Sequence, residues 1–254
     1  MTYSNTVCYT VNGFMGDLWS GPQADTGRYL GNQGLNLAYF QPIGYNAGAF
    51  PLSTGVTSGL GELQNQFHIH GATEGKTNIL MSSWSEGSII ATLAFENSRN
   101  GVAGWPPLSV WKGATTFGNP YREAGSYAPR TGPGSVPDPG GAGIGGPRNN
   151  MKNTPAWWHN YAHPKDLYTC CPTTQVGDDV RVIFDFVLTQ WSGAVTDLIK
   201  FATSLKTNTV LGSEALLWAI VDAIAFYGAG TKDHVDYDPH PSMNYLAGIA
   251  KTLT

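Results

Sequence analysis

Residues 82–90 read SSWSEGSII, where an apolar segment gives way to a turn. A serine hydroxyl is a poor nucleophile unless a base takes its proton and a turn holds it exposed. The surrounding pattern supplies such a turn at Ser85. TNILMSS (77–83) reads as a buried strand, and EGSIIATLAFENSRN (86–100) carries Ile89, Ile90, Leu93 and Phe95 at helical spacing. A strand that turns sharply into a helix through a nucleophile needs small residues two before and two after it, because helix and strand pack closely. Ser83 and Gly87 hold those positions, although glycine is the usual first residue. The N-terminus of the helix directs free N–H groups and a positive dipole end at the serine, which favours a developing oxyanion. Ser-x-Ser-x-Gly also occurs in ordinary turns, so the pentapeptide counts only in this strand–turn–helix setting.

A nucleophilic serine on such a turn needs a carboxylate and then a histidine further along the chain. The histidines downstream are His159, His163, His234 and His240. His234, in KDHVDY, follows the last long helical pattern, where a loop can return to the sheet. His240 stands between Pro239 and Pro241 and competes with it; its plain reading is a solvated loop histidine. The carboxylate candidates in between are Asp138, Asp166, Asp178, Asp179, Asp185, Asp197 and Asp222. Asp166, in YAHPKDLY, follows a strand end. Asp178 and Asp179 resemble a helix N-cap, and Asp185, Asp197 and Asp222 fall within helical patterns.

Other chemistries are poorly served. His68-x-His70 lacks a third ligand at a familiar spacing, so no metal is expected. The glycines at 140–146 follow no strand and end in no Gly-Lys-Ser/Thr, so they make no phosphate loop. The three cysteines form no Cys-x-x-Cys pair and no disulfide framework, and read as buried thiols. The formal net charge of −4 and 14 thinly spread Lys and Arg argue against a nucleic-acid partner. ALLWAIVDAIAFY (215–227) is interrupted by Asp222 and too short for a bilayer, so no transmembrane segment is expected. MTYSNTVCYTV shows no secretory pattern. Eight Trp residues suggest broad apolar surfaces around a site.

The elements that must position these groups alternate. NTVCYTVNG (5–13) reads as a strand, 23–45 as a helix then a strand near LAYFQPI, 53–71 as a helix opened by Ser-Thr, and 108–120 as a strand stopped by Gly118-Asn119-Pro120. Strands alternating with helices imply a mostly parallel sheet covered on both faces. With 254 residues and 41% hydrophobic content, one α/β domain over 1–254 is expected. TGPGSVPDPGGAGIGGPRNN (131–150) breaks the pattern and reads as a surface flap that forms no core. Helical segments follow at about 178–206 and 213–228, and there are no internal repeats.

A family resemblance runs through these motifs. YTVNGFMGDLWSGPQADTGRYL and FQPIGYNAGAFPLSTGVTSGLGEL resemble the opening of mycobacteriophage lysin B proteins, and SWSEGSII, TFGNPYRE, YAHPKDLY and GSEALLWAIVDAIAFYG continue the match in order. It covers nearly the whole chain, with 131–150 the main exception. The resemblance implies an α/β-hydrolase fold of the cutinase-like kind, with a helical linker region at about 177–230 over the site. It implies a serine esterase, with no cofactor, that cleaves the ester between mycolic acids and arabinogalactan. A general lipase or cutinase acting on other long-chain esters is the alternative, and a catalytically decayed structural hydrolase-fold protein a third.

Carried over by motif, Ser85 matches the nucleophile and Asp166 the acid of the family. His234 matches the base, because family members place a tyrosine a few residues beyond it, as Tyr237 stands here. The oxyanion would rest on the backbone N–H groups of Glu86 and of Phe14 or its neighbour, in the Asn12-Gly13-Phe14 turn. Asn12 departs from the family's His-Gly at that turn. The resemblance also implies synthesis in the infected host cytoplasm and action at the host outer envelope during lysis.

Overall fold

β1 (Thr6–Val11), β2 (Tyr39–Pro42), β3 (Asn78–Trp84), β4 (Trp111–Phe117) and β5 (Trp158–Tyr161) form a single parallel sheet in the order β2-β1-β3-β4-β5. They come from a computed structural model that describes residues 5–32, 37–128, 136–192, 196–197, 200–201 and 232–253. β1 is buried along its whole length, as a parallel strand covered on both faces must be. Alternate residues of β1 and β3 serve opposite layers. Tyr9, Val11, Ile79 and Met81 join the larger core with α2 (Leu52–Ile69), α3 (Glu86–Arg99) and α5 (Gln175–Thr189), whereas Cys8 and Leu80 face α1 (Pro22–Asn32) and α7 (His240–Lys251). α4 (Gly146–Asn149) and α6 (Lys232–Val235) are single turns.

Strand order reverses at β1, between β2 and β3. In open parallel sheets the crevice at such a switch, beyond the carboxyl ends of the strands, is where ligands bind. The chain leaves β1 into Asn12-Gly13-Phe14 and β3 into Ser85, so these two turns share the crevice. The mostly parallel sheet expected from the alternating pattern is therefore present, and entirely parallel.

Four departures from expectation are informative. α7 was not foreseen; Pro241 suits its first turn, and Leu246, Ala247 and Ala250 are buried against the sheet. A buried hydroxyl chain from Thr26 through Ser242 and Thr115 to Ser82 joins α1 and α7 to β4 and β3. Leu52 rather than the Ser-Thr pair opens α2, and Thr174 rather than Asp178 is the N-cap residue of α5. Trp105, Trp111, Trp157 and Trp158 serve the core rather than a site.

The Gly/Pro-rich segment divides. Residues 131–135 lie outside the described residues, and 136–138 are exposed, but the expectation of no core fails beyond them. Ile144 is buried in the larger core and Ala142 bridges Cys171. A Cβ on Gly143 would come within 2.3 Å of the Pro120 carbonyl oxygen, so the missing side chain is what lets backbone bond to backbone here. The buried Arg122 fastens this region, donating to the carbonyls of Thr169, Ser126, Gly140 and Gly141. The helix expected at 213–228, and with it the apolar 215–227 run and Asp222, lies outside the described residues. Among the described residues, no helix is long and apolar enough to cross a membrane.

Candidate active site

Ser85 sits between β3 and α3 with φ 54° and ψ −121°, a conformation that costs a non-glycine residue on the order of 1–3 kcal/mol. Its N–H bonds the Phe117 carbonyl at 2.9 Å and its carbonyl accepts from Ser88 N–H at 2.8 Å, which fixes the turn from both sides. The tightness of the elbow explains the glycine two residues on. A Cβ on Gly87 would lie 2.3 Å from the Val11 carbonyl oxygen, so α3 can start this close to β1 only without a side chain there. Ser83, in the place usually held by glycine, turns its hydroxyl to Ser88 Oγ at 3.1 Å and fits without strain.

The structure brings three of the expected side chains together. His234 Nε2 lies 2.7 Å from Ser85 Oγ, and His234 Nδ1 lies 2.8 Å from Asp166 Oδ2. All three residues are buried. A carboxylate only accepts, so Asp166 holds the ring proton on Nδ1 and leaves the Nε2 lone pair for the serine hydroxyl. Asp166 is itself satisfied: Tyr237 donates to Oδ2 at 2.7 Å and the Tyr168 N–H donates to Oδ1 at 3.0 Å. Burial and the neighbouring Asp166 hold the Tyr237 phenol well above its usual range, so it remains a donor.

The remaining candidates fall elsewhere. His240 opens α7 on the surface and bonds Asp238. His163 stacks on Tyr237 at 4.5 Å, and His159 stacks on Tyr245 at 3.5 Å, where burial pushes its imidazole down to about 4. Asp138 accepts from Gly140 N–H, Asp178 pairs with Arg181, Asp197 bonds Ser192 and Asp185 is exposed. His70 Nδ1 and the Tyr9 hydroxyl share a hydrogen bond at 3.1 Å. The three cysteines are free and buried, and burial pushes the Cys8 thiol up to about 12 and that of Cys170 to about 11.

The Asn12-Gly13-Phe14 turn closes the other side. A Cβ on Gly13 would lie 3.1 Å from Ser85 Cβ, so the turn's backbone rests against the serine. Asn12 Nδ2 donates to the Gly16 carbonyl at 2.6 Å and to that of Gly13 at 3.2 Å, folding the turn back on itself. Glu86 begins α3, where the first N–H groups have no partner within the helix.

Sequence reasoning missed the groups that hold the histidine. Gly118 has φ +59°, and a Cβ there would lie 2.8 Å from His234 Cε1 and 3.2 Å from Asp166 Oδ2. Trp84 Nε1 donates to the His234 carbonyl at 3.1 Å, and the rings of Trp84 and Tyr168 flank the imidazole. The only signal for Gly118 was its position at a strand end; Trp84 and Tyr168 gave none. Tyr237 was noted for its spacing, without a role.

No protein-family model matches the chain. It is 25% identical to Endolysin B of Mycobacterium phage D29 over 247 residues, which is 91% of this chain and 93% of that protein. The crystal structure of lysin B from Mycobacteriophage D29 matches with a TM-score of 0.72 and 24% identity, covering 96% of this chain and 99% of that one. A cutinase-like protein from Cryptococcus sp. matches more loosely, with a TM-score of 0.47 and 15% identity over 65% of this chain and 78% of that one. The resemblance to the lysin B proteins, and the α/β-hydrolase fold it implied, are thus borne out.

Proposed function

We propose that the protein is a serine esterase of the lysin B type, acting on the ester between mycolic acids and arabinogalactan during phage-mediated lysis. The observation that carries this reading is the buried line from Ser85 Oγ through His234 to Asp166, with links of 2.7 and 2.8 Å. The likeness to a phage endolysin along nearly the whole chain supports the setting in lysis and the action at the host envelope.

In this mechanism His234 Nε2 takes the proton as Ser85 Oγ attacks the ester carbonyl. The carbonyl π electrons move to oxygen, and the oxyanion rests on the N–H groups of Glu86 and Phe14. Asp166 holds the imidazolium in place. Collapse breaks the ester C–O bond, and His234 gives its proton to the departing alcohol oxygen. A water molecule, deprotonated by the same nitrogen, then attacks the acyl-serine, and Ser85 recovers its proton as the acid leaves. Phe14, Phe50 and Trp191 form an aromatic row that ties the oxyanion turn to the larger core, with ring centroids 5.1 and 4.7 Å apart.

A substrate panel tests the specificity. Turnover of purified mycolyl-arabinogalactan with release of free mycolic acid is expected, alongside hydrolysis of short chromogenic esters. Hydrolysis of short esters and triglycerides with none of the cell-wall ester would replace this reading with that of a general lipase or cutinase.

A further inference from the structure

Glu86 follows the nucleophile, yet its side chain points away from the reacting groups into the protein. It is 3% exposed, and no cation pairs with it among the described residues. Its Oε1 has no hydrogen-bond partner among the described residues and sits against Gly55, where a Cβ would lie 2.5 Å from Oε1 and 2.9 Å from the Asn46 carbonyl oxygen. Its Oε2 lies 3.2 Å from the Tyr45 hydroxyl. That hydroxyl also lies 2.7 Å from the carbonyl oxygen of Asn12, the first residue of the oxyanion turn.

Tyr45 has one hydroxyl proton and two oxygens within reach. The shorter contact gives it to Asn12. Toward Glu86 the phenol oxygen can then only accept, so Glu86 must be the donor, which requires its carboxylic acid form. We propose that Glu86, as a neutral acid, and Tyr45 are positioning residues: the acid donates to Tyr45, and Tyr45 fastens the Asn12 carbonyl and so sets the oxyanion turn against Ser85. The proposal rests on the esterase reading above. Ionised, Glu86 would draw the Tyr45 proton to itself and release the Asn12 carbonyl. Burial favours the acid form, pushing the Glu86 carboxyl up to about 8, and holds the Tyr45 phenol far above its usual range. Among the described residues Tyr45 is the titratable group facing Glu86; α2 meets Glu86 through Gly55, and the Asn12 carbonyl meets Tyr45.

Steady-state hydrolysis of p-nitrophenyl butyrate from about pH 6 to 10, with kcat and KM separated, tests this. Glu86→Leu and Tyr45→Phe should each lower kcat about tenfold with KM within about twofold, since a displaced oxyanion donor costs transition-state binding alone. Glu86→Gln, whose amide donates to Tyr45 but cannot ionise, should recover most of the loss seen in Glu86→Leu. It should also lack the fall in kcat that the wild type shows as pH rises through about 8. A second readout needs no substrate. A carboxyl whose folded value is raised stabilises most below its unfolded value and loses that contribution as pH rises toward the folded value. The melting temperature of the wild type relative to Glu86→Gln should therefore fall between about pH 5 and 8. Glu86→Gln no better than Glu86→Leu, an alkaline fall that survives in Glu86→Gln, or a melting difference independent of pH would each overturn the proposal. A wild type that hydrolyses no ester overturns the esterase reading instead, and the melting comparison still decides whether Glu86 is a neutral acid.

Discussion

Two parts of the site are held in different ways. Ser85 belongs to one contiguous unit, β3 and α3, and its position is set by backbone: two main-chain hydrogen bonds, a left-handed φ and the glycine that lets α3 approach β1. His234, in α6, and Asp166, in a turn closed by its own main-chain bonds to His163 and Cys170, lie 68 residues apart in the chain, and side chains hold the two together: Tyr237 and Tyr168 around them, Trp84 on the histidine carbonyl, and bare space at Gly118. Arg122 secures the turn behind Asp166 by bonding backbone carbonyls, among them those of Thr169, Ser126, Gly140 and Gly141. The proposed nucleophile is therefore positioned by what the chain must do locally, and the proposed acid–base pair is brought to it by packing that a single substitution can undo.

Substitutions on the acid–base side should break this contrast in graded steps. Asp166→Asn changes no volume but can donate to His234 and so favours the wrong ring tautomer. It should lower kcat on a short chromogenic ester on the order of 10³- to 10⁴-fold with far-ultraviolet circular dichroism unchanged. Gly118→Ala comes next. The added methyl meets the imidazole and the left-handed backbone disfavours it, so a drop of about 10²-fold is expected with KM little altered. Tyr237→Phe removes one donor to Asp166 and leaves the ring stacked on His163, so kcat should fall only about tenfold. If Tyr237→Phe were as damaging as Asp166→Asn, the tyrosine would do more than hold the carboxylate.

The same contrast explains what could be read from the sequence. The elbow was legible because strand, turn, small residues and helix lie within one stretch, and each carries its own signal. The parallel sheet was legible from alternation. Asp166 and His234 could be paired with Ser85 only through chain order and the family resemblance, since nothing local in YAHPKDLY or KDHVDY says that they meet. α7 escaped because HPSMNYLAGIAK carries helix-breaking cues, Pro241 and Gly248, while burial of Leu246 and Ala250 stabilises it. The glycines at 141–146 were misread as a flap because glycine marks both a loop and a close backbone contact. Only the partners Pro120 and Cys171, distant in sequence, tell these apart.

The most direct test of the central claim is covalent labelling. The intact protein is treated with a fluorophosphonate and the adduct is located by peptide mass spectrometry. The proposed mechanism predicts one adduct, on Ser85, lost in Ser85→Ala, slowed by about 10³-fold in His234→Ala and unaffected in His240→Ala. No adduct, or an adduct on Ser83 or Ser88 that persists in Ser85→Ala, would contradict it.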